Sequence, residues 1–355
     1  MRDPGMTAAF INRIGLAVPP FDIHRPFSEF AVSRLSGRKA QAAFCRLAER
    51  AQIDHRYSFL PPESFLEPAG FYRPGRFPDT LARMRFFEQH APDLAAWALD
   101  AIDFSSFKDE VTHLIIACCT GFYAPGIDFD IVNRFGLKAS VERTIVGFMG
   151  CYAAMNALKL ARHIVRSEPH AKVAIVNIEL CTIHLQEVSG VDEMLRFLLW
   201  GDGCSTFLVS AEPSGLELRS FHSAMFGDSA DQLVWRVGQY GFDIVLSSKI
   251  AQTLARALPQ SINAILDGRR VGDIGLWAVH PGGRAILDAV GHAIDLDAEG
   301  LGHSREVLRR FGNMSSATVG FVLKEMLQKN LKGLGCAMAF GPGLTAESMI
   351  FEAAN

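Results

Sequence analysis

Short apolar runs alternate with amphipathic stretches along this chain. The runs predict strands at 112–117, 172–179, 205–209, 276–279, 336–340 and 348–352. Helical spacing of apolar positions predicts helices at 40–52, 92–100, 151–166, 248–258, 284–293 and 315–329. Within 151–166, Ala154, Leu158, Ala161 and Val165 fall on one side, so a single stripe faces the core, and the small residues let the helix pack closely. A turn cluster, Glu212-Pro213-Ser214-Gly215, divides the chain into halves of 1–213 and 214–355. No low-complexity linker separates them, which predicts a shared core.

Three segments carry candidate chemistry. In TIVGFMGCYAAMNAL (144–158) the apolar run breaks at Gly147 and Gly150, and a helix is predicted to open at Cys151. A thiol there faces the positive end of a buried helix, a setting that lowers a cysteine pKa from about 8.5 to roughly 3.5–7.5. In IGLWAVHPGGRAILDA (274–289) a strand runs into His280, where an imidazole points into a cleft. In FGNMSSATVGFVL (311–323) Asn313 follows a glycine and opens an apolar helix, as Cys151 does. Cys119 precedes Cys151 by 32 residues and His280 precedes Asn313 by 33, which suggests one strand–loop–helix plan used twice. A diverged duplication packed about a pseudo-twofold axis brings Cys151, His280 and Asn313 to one cleft. Taken singly, each has a plain structural reading: a small packing residue, a satisfied strand-end histidine, a helix N-cap. Their joint spacing favours a nucleophilic thiol with a histidine and an asparagine as its partners.

With these segments in order, and with GLAVPP (15–20) and AFGPGLTAE (339–347) flanking them, nearly the whole chain resembles the type III polyketide synthases, the chalcone-synthase-like branch of the thiolase fold. The resemblance implies an α/β protein with the thiolase-like duplicated five-layer αβαβα fold, and a homodimer. It also implies a triad matching Cys151, His280 and Asn313. Iterative decarboxylative condensation of malonyl-CoA onto an acyl-CoA starter held by Cys151 then ends in cyclisation to a pyrone, resorcinol or phloroglucinol. The substrates are CoA thioesters, and neither cofactor nor metal is implied. His280 and Asn313 are suited to donating hydrogen bonds to the enolate oxygen formed when malonyl-CoA loses carbon dioxide.

Further positions follow from the same resemblance. Two aromatic gate residues match Trp200, where the family usually has phenylalanine, and Phe242. The elongation cavity matches Thr120, Cys181 and Ser315. Cys119, Thr120 and Cys181 look more like the bacterial alkylpyrone and alkylresorcinol synthases than like plant chalcone synthases, which favours a medium or long aliphatic starter. Leu185 lies one turn past Cys181 if that segment is helical, where its bulk shortens an acyl tunnel. Arg46 and Arg50 match two of three basic CoA-binding positions, and the third falls on Ala43. Two alternatives within the fold are an initiating ketoacyl-acyl-carrier-protein synthase, which also uses Cys, His and Asn, and a non-catalytic acyl-CoA-binding homologue.

Composition is compatible with all of this. The 355 residues are 49% hydrophobic with net charge −3, enough for a large core and without the basic excess of a nucleic-acid binder. No run of 18 apolar residues suggests a membrane span, and MRDPGMTAAFINR, broken by charge and Pro4, does not read as a signal peptide. Met6 is a second candidate start. Seven cysteines without metal-ligand spacing predict a reduced, cytoplasmic protein.

Overall fold

The computed structural model describes residues 7–67, 70–297 and 299–353, so Met6 lies outside the described residues. The strands are β1 (Phe10–Ala17), β2 (Phe21–Asp22), β3 (Tyr57–Ser58), β4 (His113–Cys118), β5 (Glu142–Gly147), β6 (Val173–Leu180) and β7 (Asp202–Ser210). They continue with β8 (Leu216–Met225), β9 (Leu233–Gly238), β10 (Gly241–Leu246), β11 (Leu276–Val279), β12 (Gly333–Gly341) and β13 (Thr345–Ala353). The helices are α1 (His24–Arg34), α2 (Arg38–Ala51), α3 (Glu63–Leu66), α4 (Thr80–Asp100), α5 (Ile127–Phe135) and α6 (Ala153–Ser167). After them come α7 (Val191–Leu198), α8 (Ile250–Ile265), α9 (Arg284–Ala293), α10 (Gly302–Phe311) and α11 (Thr318–Gln328).

Strand pairing shows the internal repeat directly. In the first half β1 runs antiparallel to β7, β7 antiparallel to β6, and β6 parallel to β4. In the second, β8 runs antiparallel to β13, β13 antiparallel to β12, and β12 parallel to β11. The two sets join where Phe10 and Ile11 meet Glu217 and Leu216, and β5 extends the first set at its free edge.

Layering follows from the two-residue period of a strand, because strands buried on both faces send alternate side chains to opposite layers. Val173 and Ile175 of β6 join a core with α6 and α11, whereas Ala174 and Val176 join one with α4. In β12, Ala337 and Ala339 face that same central core, while Cys336 and Met338 face α8 and α9. The order is helix, sheet, helix pair, sheet, helix: the five-layer αβαβα arrangement. Ala154, Leu158, Ala161 and Val165 are fully buried in the middle layer.

Several local expectations change. The helix expected from 92 begins at Thr80 instead. Asp79 caps it by accepting from the Ala82 amide at 2.8 Å, and Pro92 sits inside. Cys151 does not open the α-helix; it occupies a 3₁₀ turn, Gly150–Tyr152, ahead of α6. A matching turn, Ser315–Ala317, precedes α11, so Cys151 corresponds to Ser316, and Asn313 lies ahead of the turn. The strand β5 and the hairpin β9–β10 were not anticipated, since β5 is mostly solvent-facing and neither carries a long buried run.

Close packing in the middle layer is tight at Gly320 of α11, where an added Cβ meets Ser205 Cβ at 2.5 Å and Phe207 Cζ at 3.1 Å. Gly320→Val is expected to destabilise by about 1–3 kcal/mol through overpacking. A lowered urea midpoint at unchanged m-value checks it.

Candidate functional site

The two 3₁₀ turns meet at the N-terminal ends of α6 and α11. Gly150 makes the first possible: its φ is +76°, and a Cβ there would lie 2.3 Å from Pro342 Cδ. Its amide donates to Cys119 Sγ at 3.0 Å, which fixes the turn against the end of β4. Cys151 is thereby held buried, with the side chains of Ser315 and Asn313 hydrogen-bonding its sulfur.

Asn313 is locked from all sides. Its amide donates to Leu199 O at 2.7 Å and its carbonyl accepts from the Gly201 amide at 3.0 Å. In the side chain, Oδ1 accepts from the Ser315 amide at 2.8 Å and Nδ2 donates to Gly282 O at 3.3 Å. An amide NH₂ has two hydrogens, and the second faces the Cys151 sulfur. His280 follows β11 directly, and its amide donates to Met338 O at 2.7 Å. A Cβ placed on Gly282 would lie 3.7 Å from the imidazole Nε2, so the loop that binds Asn313 also lines the ring. Both ring nitrogens are buried and have no protein partner.

Burial governs the charges here. It pushes the Cys151 thiol up to about 12, reinforced by Glu179 and opposed by the Ser315 and Asn313 hydrogen bonds. It pulls the His280 imidazole down to about 3. The lowered thiol pKa expected from the helix terminus is therefore overridden, because losing water costs a lone thiolate more than the helix dipole returns. At rest the two groups are neutral.

A small cavity of about 30 Å³ lies beside Cys151, room for a few waters. Cys119, Thr120, Cys181, Trp200 and Ser315 line it. Leu233, Val234, Trp235 and Ile244 of the β9–β10 hairpin close its other side. Sequence reasoning missed them because the hairpin comes from a part of the chain remote from every motif. Trp235 Nε1 donates to Cys119 O at 2.7 Å, which pins the hairpin to the end of β4.

Other expected residues lie elsewhere. Phe242 does not line this cavity. It sits two residues nearer the hairpin turn than Ile244 and stacks on His184, with centroids 4.2 Å apart. Leu185 ends the 3₁₀ turn Cys181–His184 and lines a second cavity beyond Cys181 and Trp200. Arg46 and Arg50 are exposed on α2 and border neither cavity; the Arg50 carbonyl accepts from Arg284 Nη1 at 3.1 Å.

The least anticipated residue is Glu179. Its carboxylate accepts from the Cys119 amide at 3.0 Å, Thr120 Oγ1 at 2.7 Å and Ser316 Oγ at 2.5 Å. A lone acid inside the apolar run VAIVNIEL was the available signal. Among the described residues no cluster of His, Cys, Asp and Glu could hold a metal ion, and no helix is long and apolar enough to cross a membrane.

Family models for chalcone and stilbene synthases match residues 13–213 (N-terminal domain) and 217–355 (C-terminal domain). The chain belongs to the chalcone and stilbene synthase family. It is a type III polyketide synthase, an acyltransferase of a family that uses CoA thioesters. The alpha-pyrone synthesis polyketide synthase-like Pks18 of Mycobacterium tuberculosis is 36% identical over 295 residues, covering 78% of this chain and 75% of that protein. Two solved structures share the fold. The C-terminal type III polyketide synthase domain of Steely1 from Dictyostelium has a TM-score of 0.90 at 23% identity, covering 98% of this synthase and 100% of that chain. PKS-I from the brown alga Ectocarpus siliculosus has 0.89 at 23% identity, covering 99% and 100%.

The raised acid of this synthase has a measurable consequence. Burial pushes Glu179 up to about 7 from the ordinary 4.5, against the hydrogen bonds it accepts. The native state then holds the proton more tightly than the unfolded chain, so stability falls as pH rises from about 4.5 to 7. Relative to Glu179→Gln, the wild type is expected to gain up to about 3 kcal/mol as pH drops through that window. Urea unfolding of both proteins at pH 5 and 7.5 checks the sign.

Proposed function

We propose that Cys151 is the nucleophile of this synthase, acylated by an acyl-CoA starter and then attacked repeatedly by enolates from malonyl-CoA. The observation that carries the reading is His280: an imidazole with both nitrogens buried and unpartnered, on the loop that also binds Asn313. Leaving such groups unsatisfied costs stability, which is understandable if substrate atoms complete them.

Each group resists charging alone, but moving the proton from Cys151 Sγ to His280 creates opposite charges that offset each other's desolvation. The thiolate attacks the starter thioester, and CoA leaves as thiol after taking up the proton. Loss of carbon dioxide from malonyl-CoA then puts negative charge on the thioester oxygen. An N–H of neutral His280 and the Asn313 Nδ2 hydrogen that faces the sulfur at rest donate to that oxygen. The enolate carbon attacks the acyl group on Cys151 and expels the sulfur, lengthening the chain by two carbons.

CoA thioesters are substrates in this scheme, and no cofactor or metal enters it. Thr120, Cys181, Ser315 and Trp200 shape the chain's cavity, while Arg46 and Arg50 attract the CoA phosphates at the surface. The chain then cyclises to a pyrone, resorcinol or phloroglucinol. The seven free thiols suit a reducing, cytoplasmic setting.

The roles separate by mutation. Cys151→Ala is expected to abolish acyl loading and product while retaining carbon dioxide release from malonyl-CoA. His280→Ala or Asn313→Ala should cut that release by about 10²–10³-fold. Decarboxylation lost equally in all three folded variants overturns this division.

The same reading includes a homodimer through the free edge of β5. Ile145 and Phe122 are each 54% exposed there, beside exposed Phe148 and Met149 on the segment leading to Cys151. An unpaired strand edge rimmed with apolar side chains needs cover, and a second copy supplies it. Light scattering should give twice the mass of one chain, and Ile145→Asp should give the single mass.

A further inference from the structure

The loop that carries His280 ends in a cation. Gly282 borders the imidazole and its carbonyl holds Asn313, and two residues later Arg284 opens α9. Four residues span at most about 14 Å, so the backbone at Arg284 stands within the length of an extended pantetheine arm from His280. Its side chain crosses from the loop to the end of α2, where Nη1 donates to the Arg50 carbonyl at 3.1 Å. Nε faces Asp288 Oδ2 at 3.3 Å, one turn along α9. A guanidinium group has five N–H hydrogens. Two are committed here, and the other three, one on Nη1 and two on Nη2, belong to a side chain that is 40% exposed.

The ground around Arg284 is positive although the protein as a whole is not. Arg305 Nη2 lies 2.7 Å from Asp288 Oδ1, so one carboxylate is shared between two guanidinium groups. Arg46 and Arg50 lie one turn apart on α2, both exposed, and neither side chain has a partner among the described residues. Arg46, Arg50, Arg284 and Arg305 thus stand against Asp288 and Glu49, four cations to two anions, on a chain of net charge −3. A positive spot on a negative protein draws anions out of solution. Arg284 is the member best placed to hold one, because its two anchors fix the planar fork beforehand and less freedom is lost on binding.

We propose that Arg284 is a specificity-determining residue of this synthase: its guanidinium grips the phosphates of CoA and selects CoA thioesters over thioesters that lack the nucleotide. The selection deepens the synthase reading and rests on it. Arg46 and Arg50 attract the phosphates to the surface, whereas Arg284, tied to the loop of His280, sets how far the pantetheine arm reaches towards the imidazole. A planar fork meets phosphate through paired, charge-assisted hydrogen bonds, which at a half-exposed site amount to about tenfold in binding.

The test compares malonyl-CoA with malonyl-N-acetylcysteamine, which carries the same reacting group without phosphates, and reads carbon dioxide release. The preference is the ratio of kcat/KM for the two substrates. Arg284→Gln is expected to cut it about tenfold, through the KM for malonyl-CoA, and Arg284→Lys should retain part of it. Raising the salt concentration should narrow the gap between the wild type and Arg284→Gln. The ratio is internal to each protein, so a general loss of activity in a variant does not mimic the result. Calorimetric titration with CoA and with pantetheine reads the same preference without turnover. A preference unchanged in Arg284→Gln overturns the proposal. Carbon dioxide release with that unchanged preference leaves the synthase standing and removes this selectivity; a calorimetric preference lost in Arg284→Gln, in a protein that releases no carbon dioxide from either thioester, does the reverse.

Discussion

Two helices buried between two sheets impose the constraint from which the site follows. The segments α6 and α11 are covered on both sides, so their apolar faces must fit at nearly contact distance. Alanines at 153, 154, 157 and 161 and a glycine at 320 permit that approach. Once the helices are side by side, their leading 3₁₀ turns are forced together. Cys151 and Ser315 are neighbours for that reason, although one comes from each half of the chain.

Glu179 ties this arrangement at its base. One carboxylate reaches Cys119 and Thr120 at the end of β4 and Ser316 ahead of α11, so a single buried acid links both halves below the nucleophile. Its burial raises its own proton affinity and disfavours a second negative charge on Cys151. The site thus rests uncharged, and chemistry begins when a proton moves within it. The hairpin β9–β10 seals the opposite side and leaves a small cavity beside the nucleophile.

Cys181 and Trp200 belong to both cavities, and Arg56 clamps the Trp200 carbonyl while holding an unused donor beyond it. Arg83 does a comparable job at the turn after β6, donating to the carbonyls of Ile183 and Leu185. These buried guanidinium groups hold irregular backbone where no ladder of hydrogen bonds is available.

Much of this was legible in the residues alone. Strands such as β4 and β6 declare themselves as continuous apolar runs because both faces are buried. The duplicated plan and the segments of Cys151, His280 and Asn313 are local patterns, set by turn glycines and helix starts that neighbouring residues dictate. What only the tertiary structure decided are the quantities that depend on who packs against whom. Desolvation, absent from any local reading, reversed the expected charge of Cys151. The fold packed Phe242 against His184 and Trp235, brought Trp235 into the cavity wall, and gave Glu179 three partners from two segments remote in the chain. Arg46 and Arg50 remained at the surface while Arg56, a few residues on, was buried beside the second cavity. Neighbour effects of this kind decay within a few ångströms, and residues close in space here are as far apart in the chain as Cys119 and Trp235 or Glu179 and Ser316.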